Sequence, residues 1–397
     1  MIALILRDFL AYRLAVDILA TLGSGENRLA TRVEQLVCST RVANRFPPLA
    51  HSGEGDKQQT FSFSFQDKDF KPKMGSVTLH REEKMKDKKP SHLTLVEKRS
   101  LEASISIASE IREKIAYQHT VLCQTCMPYR NPGNDVFRWE RRQGDVQLLI
   151  SAGEVIDPST ERYAKIGLPF GPKARLILAH LNAEALRTGS PEIETERSLT
   201  AFVRRLQDPT KRGKSGPNGQ EIRAFKDHLM RLSVATIRMA MMANEHAVQI
   251  NNQFVDVIEL WLTKDENNRV RWSPTLHLNQ KYFDSLQKHV VPLDERALAA
   301  LSHSAMALDI YAWLAQRLHR IPHGKPQSIT WAALKGQFGV DHSRMDHFRS
   351  KFRTAMFQVL ACYPKAKIEA DHKGLTLRHS PPPISARVIV VEKPGDR

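Results

Sequence analysis

Five basic residues between positions 344 and 353 have the spacing of neighbouring rows on one α-helix. Arg344, His347 and Lys351 are three and four residues apart, and Arg349 and Arg353 are four apart. An arginine can donate two hydrogen bonds to O6 and N7 of one guanine, whereas lysine and histidine can reach phosphate oxygens. The pattern predicts a helix that reads bases in the major groove. A solvated basic helix with scattered ion pairs is the alternative.

A hairpin follows this helix and would place further cations beside it. The segment KIEA–DHKG–LTLR contains two strand-like stretches, and Gly374 is expected to supply the turn between them. Its cations Lys367, Lys373 and Arg378 are expected to hold phosphates or the minor groove. The apolar stripe of the helix begins at Met345 and should face a core, so the basic rows should face outward.

The elements that would position these cations belong to one copy of an internal repeat. Apolar and small polar residues in two segments match when they are separated by 132 positions. The matched residues are Leu176, Ala183, Leu186, Ser198, Phe202 and Leu206 in the first segment, and Leu308, Ala315, Leu318, Thr330, Leu334 and Phe338 in the second. Each segment then runs into a basic amphipathic helix and a short polar hairpin. Helix, helix, basic helix and hairpin is the order of a winged helix, so the repeat predicts two such domains.

The first copy carries a more dilute set of cations. Its third helix is expected over about residues 220–242, with Arg223 and Lys226 on one face and Arg231 on another. Its hairpin is expected to turn at Asn251-Asn252, because asparagine tolerates positive φ. This helix should contact the DNA backbone more than the bases. A role mainly in protein–protein contact is equally open.

Charge and cysteine usage limit the partners and the compartment. The 397 residues include 59 Lys and Arg against 43 Asp and Glu, a formal net charge of +16, which favours a polyanionic partner. Four cysteines are too few for a disulfide framework in a chain of this size, so a reducing cytoplasm is expected. Charged residues interrupt the apolar stretch Met1–Leu22, which predicts neither a signal peptide nor a membrane-spanning helix. No membrane partner is expected.

These features together predict an α+β, mainly helical chain of two tandem winged-helix domains with a poorly ordered N-terminal extension. The extension covers residues 1–100, whose second half is rich in Lys, Ser, Gly and Asp. The first winged-helix domain, with a preceding helix and strands, is expected over residues 101–272. The second is expected over residues 273–381, followed by a tail over 382–397.

Three patterns resemble catalytic or metal motifs but have the wrong spacing. Gly213-Lys214-Ser215 resembles the end of a phosphate-binding loop, but Asp208 stands where that loop requires glycine. Cys123 and Cys126 form a lone CxxC pair, whereas a zinc ribbon needs a second pair. A nicking initiator would need a His-x-His metal pair, and the sequence contains none. We therefore expect no catalytic residue, no metal and no cofactor.

Longer stretches of the chain, over about residues 120–381, resemble the plasmid RepA replication initiators. The resemblance rests on Leu168-Pro169-Phe170-Gly171, Arg175-Leu176, Glu184-Ala185-Leu186-Arg187-Thr188, Ser198-Leu199-Thr200-Ala201-Phe202, Val291-Pro292-Leu293-Asp294-Glu295-Arg296-Ala297-Leu298 and Ala307-Leu308-Asp309-Ile310-Tyr311-Ala312-Trp313-Leu314. Phe170 departs from the tyrosine common in that family. Residues 1–100 carry none of the resemblance.

The resemblance implies a protein that binds repeated sequences (iterons) in the double-stranded origin of its own plasmid. It implies opening of the adjacent duplex, recruitment of the host replication initiator and helicase, and repression of its own promoter as a homodimer. Three other functions stay open at this point. They are a dedicated winged-helix transcriptional repressor, an origin-nicking endonuclease that forms a tyrosyl–DNA adduct, and a scaffold that uses winged helices for protein contacts only.

Overall fold

A computed structural model describes the isolated residues 104, 105 and 107 and the ranges 115–157, 160–194, 199–206, 216–243, 246–255 and 275–384. All of these residues belong to one compact unit, Thr94–Arg397. The predicted N-terminal extension over residues 1–100 lies outside the described residues. So do the segment that contains Gly213-Lys214-Ser215 and most of the predicted tail.

The first half of this unit mixes strands and helices. In chain order they are β1 (Ile115–His119), α1 (Thr120–Gln124), β2 (Arg138–Gln143), β3 (Val146–Ser151), β4 (Glu154–Asp157), β5 (Arg162–Lys165), α2 (Gly171–Thr188), β6 (Glu192–Glu194), α3 (Leu199–Leu206), α4 (Gly219–Val234), β7 (Thr236–Ala243) and β8 (His246–Gln253). The predicted α+β class is confirmed by this mixture.

The second half is built from shorter strands and two long helices. Its elements are β9 (Thr275–His277), α5 (Gln280–Lys288), β10 (Val290–Asp294), α6 (Glu295–Ala300), α7 (Ala305–Arg317), a 3-10 turn (Leu318–Arg320), β11 (Gln327–Thr330), α8 (Trp331–Phe338), α9 (Met345–Cys362), β12 (Ile368–Ala370) and β13 (Gly374–Leu377). The predicted third helix of this half and the hairpin after it are therefore present.

Local sequence explains where the main helices begin and end. Pro172 lies in the first turn of α2, where a missing N–H costs nothing, and Gly189 ends the helix in the left-handed conformation with φ 67°. Asn218 and Glu221 form a reciprocal capping box at the start of α4. The hydroxyl of Ser304 accepts a hydrogen bond from the backbone N–H of Ala307 at the start of α7.

The third helix of the first half is shorter than predicted. It ends at Val234, and residues from Thr236 onward form β7. Ile237 and Met239 are buried while Arg238 is exposed, so the segment has the two-residue period of a half-buried strand. The predicted turn at Asn251-Asn252 is also wrong, because both residues lie within β8.

The two halves share an element order but pair their strands differently. In each half a helix, a short strand, two helices and a hairpin follow one another. In the second half β11 joins the hairpin to give a three-stranded sheet of order β11-β13-β12. In the first half β6 pairs with β9, and the hairpin β7–β8 joins β2 and β3 in a four-stranded sheet. The repeat seen in the sequence therefore holds for element order and not for the sheets.

Two hydrophobic clusters form the core of the described region. One contains β3, α2 and α4 and extends to Tyr282, Phe283 and Leu286 of α5. The other contains α7, α8 and α9, and Cys123 and Cys126 of the first half also pack into it. The domain boundary predicted between residues 272 and 273 stays a prediction. Among the described helices, none combines the length and the apolar character that a membrane span requires.

Candidate nucleic-acid interface

Helix α9 presents its basic residues on the side away from the core. Phe348, Phe352 and Val359 are fully buried against α7 and α8. Arg344, His347, Lys351 and Arg353 are exposed, and Arg349 is half-buried. The predicted outward direction of the basic rows therefore agrees with the structure, and Arg349 is the least accessible of the five.

Arg344 lies at the exposed start of α9 and is paired with an acidic neighbour. Its guanidinium is 2.5 Å from the carboxylate of Asp346, and both side chains are largely exposed. Hydrogen bonding to Asp346 raises the pKa of Arg344, and the same bond lowers the pKa of Asp346. A phosphate would have to compete with Asp346 for this guanidinium, although an exposed pair of this kind is readily exchanged.

Two histidines meet beside the start of the same helix. The Nδ1 atoms of His342 and His347 are 3.1 Å apart, so one ring donates a proton to the other and at least one Nδ1 is deprotonated. Burial lowers the pKa of His342, and the nearby His347 lowers it further. The lowered pKa disfavours a charge on His342, so this residue adds hydrogen-bonding groups more than charge to this end of α9.

The hairpin β12–β13 carries Lys373 at its tip. One carboxylate oxygen of Asp371 accepts hydrogen bonds from the backbone N–H groups of Lys373 and Gly374, each at 2.8 Å, which closes the turn. The reason expected for Gly374 is corrected by the structure. Its φ is not positive, and it lies in β13 opposite Thr330, where a Cβ would overlap the carbonyl oxygen of Ile329. Glycine is needed there for close strand approach rather than for the turn.

The other two hairpin cations lie at its base. Lys367 is exposed, and its carbonyl oxygen accepts a hydrogen bond from the backbone N–H of Arg378 at 3.0 Å. The Arg378 guanidinium is paired across the hairpin with Glu369 at 3.0 Å, and this hydrogen bond raises the pKa of Arg378. Lys373 and Lys367 are thus exposed to solvent, whereas Arg378 would have to break its ion pair with Glu369 before it could bind a phosphate.

The cations predicted on α4 divide into three environments. Arg223 is exposed, and Lys226 is half-buried. Arg231 is buried, and its inclusion in the DNA-binding set is corrected by the structure. Its guanidinium is held by Asp227 at 2.8 Å, by the carbonyl oxygen of Leu168 at 3.4 Å and by the ring of Phe170 at 5.2 Å. Arg231 therefore stabilises the fold of the first half.

The CxxC pair has no feature of a reactive or metal-binding site. Cys123 and Cys126 are buried, and burial raises the pKa of both thiols. Tyr129 donates its hydroxyl proton to Cys126 at 3.3 Å. Among the described residues, no group of three or more His, Cys, Asp or Glu side chains could hold a metal ion.

Residues 168–333 match the family model described as "Plasmid encoded RepA protein". This segment is similar to the plasmid-encoded RepA family. The resemblance predicted from the sequence is thereby confirmed for α2 through the first turn of α8. The α9 helix and the hairpin β12–β13 lie beyond the matched RepA segment. No curated protein matches the chain.

Two solved structures that are similar to this chain contain domains 2 and 3 of RctB. A crystal structure of domains 2 and 3 of RctB is similar at 9% identity and a TM-score of 0.42, and it covers 70% of this chain and 99% of that one. A second structure of RctB domains 2–3 is similar at 10% identity and a TM-score of 0.37, covering 65% and 94%. Likeness at this level is too low to transfer any residue's role.

Inside the segment that matches the family model, a buried ion pair joins the two halves. Arg175 of α2 donates to both carboxylate oxygens of Asp309 of α7, at 2.6 and 2.8 Å. Its remaining N–H groups donate to the carbonyl oxygens of Met127, Pro128 and Gly171. Burial alone would lower the pKa of Arg175, but attraction to and hydrogen bonding with Asp309 outweigh burial and raise it. Both residues belong to stretches that carried the family resemblance.

A second contact between the halves lies next to the predicted interface. Arg141 of β2 donates to the carbonyl oxygens of Gly336 and Gln337, at 2.7 and 3.1 Å, at the C-terminal end of α8. A cation at this position satisfies terminal carbonyl groups and opposes the negative end of the helix dipole. The turn that leads from α8 into α9 is therefore fixed to the sheet of the first half.

Proposed function

We propose that this protein is a plasmid replication initiator that binds repeated origin sequences through two winged helices, without covalent chemistry. It would open the adjacent duplex and recruit the host replication initiator and helicase. The RepA family match supports the plasmid and replication parts of this proposal. The winged helices rest on the geometry of the described elements, and the binding of iterons rests on the resemblance to the RepA family.

The observation that carries the proposal is the second half's combination of topology and charge. A three-stranded sheet of order β11-β13-β12 backs three helices, and the third helix turns four exposed basic residues outward beside a hairpin tipped by Lys373. In a winged helix the third helix enters the major groove and the hairpin lies over the neighbouring backbone or minor groove. The basic rows of α9 are on the side that this docking requires.

Some of these cations would determine sequence preference, and the others would mainly contribute to affinity. Arg349 and Arg353 would read bases, and Arg344, His347 and Lys351 would hold phosphates or base edges around them. Lys373 and Lys367 would hold the backbone beside the hairpin, joined by Arg378 once Glu369 is displaced. Arg223 and Lys226 would give the first half a weaker, sequence-independent contact.

Footprinting on the DNA that flanks the gene tests the proposal directly. Protection in regular steps, with weaker binding at higher salt, is the expected result. A single isolated site at the promoter would favour the dedicated repressor, and binding that does not depend on salt would favour a protein scaffold. A covalent tyrosyl–DNA adduct on supercoiled plasmid with Mg²⁺ would replace the proposal with a nicking endonuclease.

A further inference from the structure

Trp331, the first residue of α8, holds the turn of the hairpin β12–β13. Its backbone N–H donates to the carbonyl oxygen of Lys373 at 3.1 Å, and its indole N–H donates to the carbonyl oxygen of Asp371 at 3.0 Å. Both donors of one residue are therefore used on the same turn. Because Trp331 is 1% exposed, these two bonds are shielded from water and fix the position of the Lys373 backbone.

The ring of the same tryptophan lies under two arginines of α9. The guanidinium carbons of Arg349 and Arg353 are 5.6 and 5.4 Å from the ring centroid. The Nε of Arg349 is buried and has no hydrogen-bond partner among the described residues. A guanidinium that rests on an indole keeps its outer N–H groups available, because the contact is made through its flat face.

We propose that Trp331 is a positioning residue that sets the base-reading arginines of α9 and the phosphate-binding tip of the hairpin relative to each other. This inference rests on the proposed function, because it assigns both groups to one DNA site. Phe352 packs edge to face against the Trp331 ring, with the ring centroids 5.9 Å apart. A side chain without an aromatic face or an N–H donor would leave the two groups to move independently.

Two substitutions separate the two contacts of Trp331. Trp331→Phe keeps a ring under the arginines and removes only the indole donor, whereas Trp331→Leu removes both. The full-length proteins are tested on one duplex that the wild type selects from a randomised pool. Trp331→Phe should weaken binding about fivefold, the effect of one lost hydrogen bond. Trp331→Leu should weaken it a further two- to fivefold, the effect of about one cation–π contact.

Double variants provide the measurement that a merely structural role would not change. In the Lys373→Ala background Trp331→Phe should have little further effect, because the turn it positions has already lost its phosphate contact. In the Arg349→Ala background Trp331→Leu should have a smaller effect than in the wild type. The single variant Trp331→Leu should also relax the sequence preference at the operator position that Arg349→Ala affects.

Trp313 of α7 supplies the matched control. It is 1% exposed, packs in the same cluster against Phe338 and lies under Arg317 at 5.9 Å. In the described part of the chain, no ring contact or hydrogen bond joins it to an α9 arginine or to the hairpin. Trp313→Phe should lower stability without altering base preference.

Two results would overturn the inference. One is that the Trp331 substitutions weaken binding by the same factor in the Lys373→Ala and Arg349→Ala backgrounds as in the wild type. The other is that Trp313→Phe changes DNA binding in the same way as Trp331→Phe. If Trp331→Leu fails to fold, the cycle of Trp331→Phe with Lys373→Ala decides. Failure of the wild type to select any duplex would instead reject the proposed function.

Discussion

Asp309→Ala is expected to destabilise the protein strongly, because it leaves a buried arginine without its counter-charge. The side chains of Arg175 and Asp309 are 4% and 10% exposed, and the pair is bidentate. Removing one partner of a buried ion pair costs about 3–5 kcal/mol in the free energy of unfolding. The three carbonyl oxygens that also accept from Arg175 remain, so the expected loss lies at the lower end, about 3 kcal/mol.

Urea unfolding of the full-length protein, followed by circular dichroism, measures this loss. The double variant Arg175→Met with Asp309→Leu should recover much of it, because two apolar side chains of similar size leave no buried charge. Glu140→Ala is the matched control, since its partner Arg138 forms an exposed pair and the change should stay within about 1 kcal/mol. A loss below about 1 kcal/mol for Asp309→Ala would refute the reasoning. So would a double variant whose loss equals the sum of the losses of Arg175→Met and Asp309→Leu measured singly.

Three further predictions concern the interface and the fold of the first half. Arg349→Ala should weaken DNA binding by about 1–3 kcal/mol and relax the sequence preference at one base. Lys373→Ala should instead weaken binding to all duplexes alike and lower the slope of log affinity against log salt by about one unit. Competition binding at several salt concentrations distinguishes the two outcomes. Because Arg231 is buried, Arg231→Ala should lower the free energy of unfolding by about 1–3 kcal/mol and leave that salt slope unchanged. Because Arg223 is exposed, Arg223→Ala should lower the salt slope without lowering stability. Burial lowers the pKa of His228 from 6.5 to about 4. Between these two pH values the unfolded chain binds more protons than the folded protein does. The free energy of unfolding should therefore fall by up to about 1.4 kcal/mol per pH unit as the pH drops through this range. His228→Phe should reduce that dependence in urea titrations at pH 7 and pH 5, and an unchanged dependence would exclude His228 as its source.

Helix α9 and the hairpin β12–β13 could be predicted closely from the sequence. The apolar residues from Phe348 to Val359 recur with the helical period, and Pro364 comes directly after the last helical turn. These are local signals, so α9 and the hairpin β12–β13 were found near their true positions. The exposure of Lys351 and Arg353 followed from the same period.

The first half was predicted less well because its strands depend on partners far away in sequence. Thr236–Ala243 continues the apolar composition of α4, and only pairing with β3 and β8 makes it a strand. The burial of Arg231 depends on Leu168 and Asn134, which are brought beside α4 by the tertiary structure. No residue spacing along the chain could have indicated those contacts.

The sequence by itself determined the α+β class, the cationic character of α9 and its hairpin, and the resemblance to the RepA family. Helical period, charge and motif order are local properties of the sequence, so they can be recognised without the tertiary structure. Only the tertiary structure decided which cations are accessible, which strands join each sheet and how the halves are joined through Arg175 and Asp309. It also brought Trp331 beneath Arg349 and beside Lys373. Those relations link residues that are distant in sequence, and they arise only when packing excludes water from the contacts that connect them.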